Sequence, residues 1–140
     1  MSFTPLYTTR AHVTGGRDGR GETADGKLSV KLNPPKELGG AGEGTNPEQL
    51  FAVGYAACFL SALKLVAGQQ KIALPAETAI DPEVSIGKRD DGGFQLSIDL
   101  AVSLPGIAAA EAEDLFTRTH AICPYSHAVK GNIAVTTRLA

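Results

Sequence analysis

The stretch Asn46-Pro-Glu-Gln-Leu-Phe-Ala-Val-Gly-Tyr-Ala-Ala-Cys-Phe-Leu-Ser-Ala-Leu-Lys-Leu-Val-Ala-Gly68 decides the fold. Asn46 carries a side-chain oxygen suited to capping a helix. Pro47 fits the first helical position, where a missing N–H loses no intrahelical bond, and Gln49 stands three residues after the cap. Apolar residues then run from Leu50 to Ala67, and Gly68 predicts a stop. Lys64 is placed toward that end, where the helix dipole favours a cation. The run approaches the lower bound of about 18 residues for a membrane span. Gly54, Ser61 and Lys64 interrupt it, however, and no basic cluster flanks it to set an orientation. A helix apolar on all sides also suits the centre of a globular core or a subunit interface, and that is our reading.

On the N-terminal side, residues 5 to 14 predict a first strand, and Gly15-Gly-Arg-Asp-Gly-Arg-Gly21 a turn or exposed loop. Asp25-Gly26 is a hairpin signal; Leu28, Val30 and Leu32 then alternate with polar residues as in a half-buried strand. Asn33 to Gly44 holds two prolines and four glycines, which predicts an irregular loop. On the C-terminal side, Val84 and Ile86 alternate with polar neighbours, Asp90 to Gly93 turns, and Phe94 to Leu104 alternates as a long strand. Ile107 to Ala121 predicts a helix with acids early and Arg118 and His120 late. Cys123-Pro124 ends it, because the residue before proline is pushed out of the α region. Ile133, Val135 and Thr137 predict a last strand. The expected fold is α+β: antiparallel sheets of hairpins packed around a long buried helix, one domain over residues 1–140.

Composition narrows the function. The chain has 140 residues, 43% of them apolar and 20% charged, as in an ordinary globular protein. Its formal net charge of −2, without a run of like charges, argues against nucleic-acid or acidic-membrane partners. Met1 to Arg10 contains no apolar signal core, so a cytoplasmic location is expected. In that compartment two cysteines read as redox or metal residues more readily than as a structural staple.

Cys58 lies inside the apolar helix and Cys123 just before a proline. The thiolate is the reactive form of cysteine, and burial suppresses it unless a cation is near. Cys58 is therefore either a small core hydrophobe or a nucleophile primed from elsewhere. Arg17 and Arg20, flanking Asp18, offer such a cation with a forked set of donors; the alternative is a solvated turn. Glu48 either favours the helix N-terminus or pairs with an arginine. Ten helical residues put Glu48 roughly 15 Å along the axis from Cys58. Either the helix breaks, with Gly54 the candidate site, or the residues meet across a subunit interface. His120, Cys123 and His127, with Cys58, supply enough ligands for zinc, but their spacing fits no usual zinc pattern. His12 falls on a strand surface without a visible partner.

Six stretches in one order carry a resemblance: Gly15-Gly-Arg-Asp-Gly-Arg20, Glu37-Leu-Gly-Gly40, Thr45-Asn-Pro-Glu-Gln-Leu-Phe51, Gly54-Tyr-Ala-Ala-Cys-Phe59, Cys123-Pro-Tyr-Ser126 and Gly131-Asn-Ile133. Together they resemble the organic hydroperoxide resistance proteins of the OsmC-like superfamily, from the first strand to the last. The resemblance implies a thiol-dependent peroxidase acting on organic hydroperoxides, those of fatty acids included. It implies Cys58 as the attacking cysteine, Cys123 as the resolving one, Arg17 as the catalytic arginine and Glu48 as its carboxylate partner. It also implies an intertwined homodimer, re-reduction by dithiols such as protein-bound lipoyl groups, and no haem, flavin or metal cofactor. An alkyl peroxide needs an apolar site, and Phe51, Tyr55 and Phe59 are candidates for its walls. A thiol sensor or binding module, a zinc domain and a broader OsmC-type peroxidase are the alternatives.

Overall fold

The computed structural model describes residues 2–140. They form two compact units, the first ending at Leu50 and the second running from Phe51 to Ala140.

In the first unit, β1 (Ala11–Thr14), β2 (Gly19–Thr23) and β3 (Ser29–Leu32) make an antiparallel sheet in that order. The first strand is shorter than the expected 5 to 14. Its ladder starts where Ala11 meets Thr23, the last residue of β2, so residues 5 to 10 have no partner strand in that sheet. The β1–β2 turn depends on two glycines. A Cβ on Gly15, whose φ is +74°, would lie 2.1 Å from the Asp18 carbonyl, and one on Gly19 would lie 2.0 Å from the Thr14 carbonyl. Asp25 closes the β2–β3 hairpin by accepting from the Thr23 hydroxyl and the Lys27 N–H.

The loop after β3 carries a 3₁₀ turn at Lys36–Leu38 and then returns to its starting point. Thr45 donates its N–H to the Lys31 carbonyl and accepts from the Asn33 N–H, which sets the start of α1 (Pro47–Gln69) beside β3. Asn46 caps as expected: the Gln49 N–H donates to Asn46 Oδ1 at 2.9 Å. The stop is not at Gly68. The helix passes it to Gln69, Lys71 takes the left-handed conformation, and the Ile72 N–H reaches back to the Ala67 carbonyl in a Schellman-like end. Lys64 is thus not in the last turn. Nor does Gly54 break the helix, which is continuous across it.

In the second unit, β4 (Ala79–Lys88) and β5 (Phe94–Ser103) form the expected hairpin through Asp90–Gly93. Pro82 is tolerated because β4 is an edge strand. The expectation of purely antiparallel sheets fails at β6 (Val135–Leu139), which pairs parallel to β5. A parallel pair needs a long crossover, and α2 (Ala109–Ile122) with α3 (Pro124–Val129) provides it. The core joins Tyr55, Phe59, Leu63 and Val66 of α1 to Ile98, Leu100 and Val102 of β5 and to Leu115 and Phe116 of α2. On α1 the buried positions recur at three- and four-residue spacing, one stripe of the helix. The expected burial of the helix holds only for that stripe. Val53 and Leu65 are exposed at 71% and 56%, and the apolar composition continues onto the outer face.

Candidate active site

Cys58 sits at the flank of the buried stripe of α1 and is half-buried, whereas Cys123 is fully buried. Cys123 is at once the C-cap of α2 and the N-cap of α3. Its extended backbone, as expected before Pro124, bends the chain between the two helices. The bend is fastened on both sides: the Cys123 N–H donates to the Thr119 carbonyl at 2.9 Å, and its own carbonyl accepts from the His127 N–H at 3.0 Å. This geometry brings the Cys123 thiol within 3.8 Å of the Cys58 sulfur, with both cysteines free.

Burial pushes the Cys58 thiol up from its ordinary range. The backbone N–H of Tyr125 pulls the other way by favouring the thiolate, and the nearness of Cys123 adds to the rise. All of these influences arise within the second unit.

Four aromatic rings pack together, Phe51, Tyr55 and Phe59 of α1 with Tyr125 of α3. Tyr125 lies in a stacked arrangement on Tyr55, with centroids 5.7 Å apart, and approaches Phe51 at 6.0 Å. Tyr55 and Phe59 are sealed in the core, while Phe51 keeps some exposed surface. Tyr125 is 39% exposed and is the outermost ring of the group. Gly54 leaves room for it, since a Cβ there would stand 3.0 Å from the Tyr125 hydroxyl.

A chain of hydrogen bonds runs from Tyr55 of α1 to Thr137 of β6. The Tyr55 hydroxyl meets Ser126 Oγ at 2.8 Å, Ser126 Oγ meets His120 Nδ1 at 2.8 Å, and His120 Nε2 meets Thr137 Oγ1 at 2.6 Å. Burial lowers the His120 pKa from its ordinary value, which favours the neutral ring, and the ring packs on Phe59 at 4.7 Å. Burial also raises the Tyr55 phenol. A cavity of about 380 Å³ opens on this side, lined by His120, Ser126, Thr117, Lys130 and Val135 among others.

In the first unit the β1–β2 turn presents Arg17 to the first turn of α1. Its guanidinium forks onto Glu48, Nη1 donating to Oε2 at 2.8 Å and Nη2 to Oε1 at 2.7 Å. That bond holds the Glu48 carboxyl below its usual range and raises the guanidinium. Arg17 is still 40% exposed, which leaves donors free for a further partner. Arg20 instead donates to the exposed Ser29 hydroxyl, and Asp18 accepts from the Asn33 amide. Each unit thus assembles one pair of the four expected catalytic residues.

Among the described residues, no three His, Cys, Asp or Glu side chains are grouped to hold a metal ion. His120 is engaged by two hydroxyls, and His12 is exposed on β1. Sequence reasoning missed Tyr125 and Ser126 as site residues. The one available signal was their position directly after Cys123-Pro124.

Known proteins resemble the chain over nearly its whole length. Residues 40–138 match the family model of OsmC-like proteins. An organic hydroperoxide resistance protein of Xanthomonas axonopodis pv. citri is 53% identical, the match covering 96% of this chain and 95% of the relative. The organic hydroperoxide resistance protein OhrA of Bacillus subtilis is 42% identical over 97% of each chain. The crystal structure of an organic hydroperoxide resistance protein from Legionella pneumophila superposes with a TM-score of 0.92 at 47% identity, covering 98% of this chain and 99% of that one.

Proposed function

The chain belongs to the organic hydroperoxide resistance proteins of the OsmC-like family, and from that premise we propose that it is a cysteine-based peroxidase reducing alkyl and fatty-acid hydroperoxides in defence against oxidative stress. The observation that carries this reading is the pair of free thiols held 3.8 Å apart, one buried and one partly accessible.

The chemistry balances as follows. The Cys58 thiolate attacks the terminal oxygen of R–O–O–H. The O–O bond breaks, the alkoxide leaves as the alcohol after taking a proton, and Cys58 becomes a sulfenic acid. The Cys123 sulfur then attacks that sulfenic sulfur; an S–S bond forms, the S–O bond breaks, and water leaves. A dithiol such as a protein-bound lipoyl group reduces the disulfide by exchange and is itself oxidised to its disulfide. Neither half-reaction calls on a cofactor or a metal.

Arg17 takes the roles of lowering the Cys58 pKa and orienting the peroxide, with Glu48 holding its fork in place. Burial alone raises the Cys58 thiol, so a nearby guanidinium is what the chemistry requires. α1 is unbroken between Glu48 and Cys58. We therefore assign the arginine at each sulfur to a second copy of the chain, in a homodimer. Apolar side chains open to solvent support a partner copy: Leu6 is 99% exposed, and Val53 and Leu65 protrude from α1. Phe51 and Tyr125 line the substrate approach, with Tyr55 and Phe59 behind them as the core they rest on. A cytoplasmic location fits two thiols kept reduced at rest.

The test is a single-turnover thiol count. Adding cumene hydroperoxide to the reduced protein is expected to remove two free thiols per chain and release the alcohol. Retention of both thiols in the presence of excess peroxide rules the reading out.

A further inference from the structure

We propose that Ser126 and His120 are positioning residues: with Tyr55 and Thr137 they form a directional hydrogen-bond chain that holds the first turn of α3, and with it the Cys123 sulfur, in register with Cys58. The catalytic consequence rests on the peroxidase reading; the positioning itself does not.

α3 has only six residues, too few to be stable alone. Yet its first turn, with its cap, carries Cys123 and the Tyr125 N–H that favours the Cys58 thiolate. Something outside the helix must fix that turn. Ser126 lies in it, is 7% exposed, and its one hydroxyl touches two other elements, α1 through Tyr55 and α2 through His120. His120 continues to Thr137 on β6. Three elements thus converge on the residue three places after Cys123.

The direction of the chain follows from counting protons. Tyr55 is fully buried, and Ser126 is the partner of its hydroxyl. If Ser126 donated to Tyr55, the phenolic proton would be left without an acceptor, at roughly 1–3 kcal/mol for a buried group. So Tyr55 donates to Ser126, Ser126 donates to His120 Nδ1, and His120 Nε2–H donates to Thr137. Ser126 Oγ then both accepts and donates, and each ring nitrogen of His120 makes one bond, consistent with no buried side-chain polar atom lacking a partner among the described residues. The neutral Nε2–H tautomer is the one form of the ring that permits this order.

The test measures disulfide closure in the whole chain with diamide, a diazene that takes one hydrogen from each thiol and becomes the hydrazine. It needs no hydroperoxide. Assayed well below the melting temperature, Ser126→Ala is expected to slow closure at least ten-fold and to raise the Cys58 pKa followed by thiolate absorbance. Tyr55→Phe, which removes only the head of the chain, is expected to slow closure no more than three-fold. A merely structural role would lower the melting temperature and leave closure and thiol titration unmoved. If Ser126→Ala does not fold, Thr137→Val and ¹⁵N signals of the parent His120 ring take its place. Slowed closure and an Nε2–H ring support the proposal; parental closure in a folded variant, or an Nδ1–H ring, overturns it. A parent that closes with diamide but consumes no hydroperoxide refutes the peroxidase reading instead and leaves the positioning intact.

Discussion

The Cys123 thiol donates toward the Cys58 sulfur across 3.8 Å while both remain unoxidised. The two differ in access, Cys58 being half-buried and Cys123 fully buried, and the proposed peroxidase reading gives the first encounter with an oxidant to Cys58. Cys58→Ser is therefore expected to abolish hydroperoxide consumption. Cys123→Ser is expected to consume one equivalent and stop as a sulfenic acid, which dimedone labelling followed by mass spectrometry detects. Equal labelling at both positions, or turnover that survives Cys58→Ser, would contradict the assignment.

The Arg17–Glu48 fork makes two short bonds that lysine cannot reproduce. Arg17→Lys keeps the charge and loses the plane, so kcat/KM for an alkyl hydroperoxide should fall roughly 10²-fold, the usual effect of losing one oriented donor. Glu48→Gln should fall about ten-fold by releasing the fork. Stability should change by less than about 1 kcal/mol in either case, because Arg17 is 40% exposed and the pair is screened. A large loss of melting temperature with kcat/KM preserved would make the pair structural.

Gly54 decides where Tyr125 rests. An alanine there puts a methyl 3.0 Å from the Tyr125 hydroxyl and 3.5 Å from its ring, tight enough to tilt the ring outward by a few tenths of an ångström. In a helix interior the same change gains about 0.5–1 kcal/mol. Gly54→Ala is therefore expected to keep or raise the melting temperature while kcat/KM drops roughly three- to ten-fold through the displaced wall. Activity and stability moving together would show that the ring position does not matter.

Much of this was legible in the residues, and the gaps have physical reasons. The start of α1 was readable because capping is local: Asn46, Pro47 and Gln49 carry the signal within four residues. Its end was not, because the left-handed position fell to Lys71, a residue with no preference for it, while Gly68 stayed helical. The alternation of β4, β5 and β6 marked them as strands, but the parallel pairing of β6 depends on where the α2–α3 crossover deposits the chain, which no period encodes. Arg17 and Glu48 are 31 residues apart. Their fork depends on the loop after β3 returning Thr45 to Lys31, so family resemblance rather than spacing singled them out. Tyr125 and Ser126 were hidden for a similar reason: their contacts exist only because the backbone bends at Cys123.

His120 makes the last prediction, through pH. Burial depresses its pKa below the ordinary 6.5, and the hydrogen-bond order from Tyr55 to Thr137 uses Nδ1 as an acceptor. Protonation would turn Nδ1 into a donor facing the Ser126 hydroxyl and force that hydroxyl back onto Tyr55. Because the folded pKa lies below the unfolded one, the unfolded chain binds the proton first as pH falls. The stability contribution is therefore fully present above about pH 6.5 and is lost as pH drops toward the folded value, at up to about 1.4 kcal/mol per pH unit. Glu48, also depressed, acts only from about pH 4.5 downward, so the two windows separate. Urea midpoints between about pH 7.5 and pH 5 should fall in the parent and flatten in His120→Asn. A parent midpoint that stays level across that range, or an equal slope in the variant, would show that the neutral ring is not what holds these helices and β6 together.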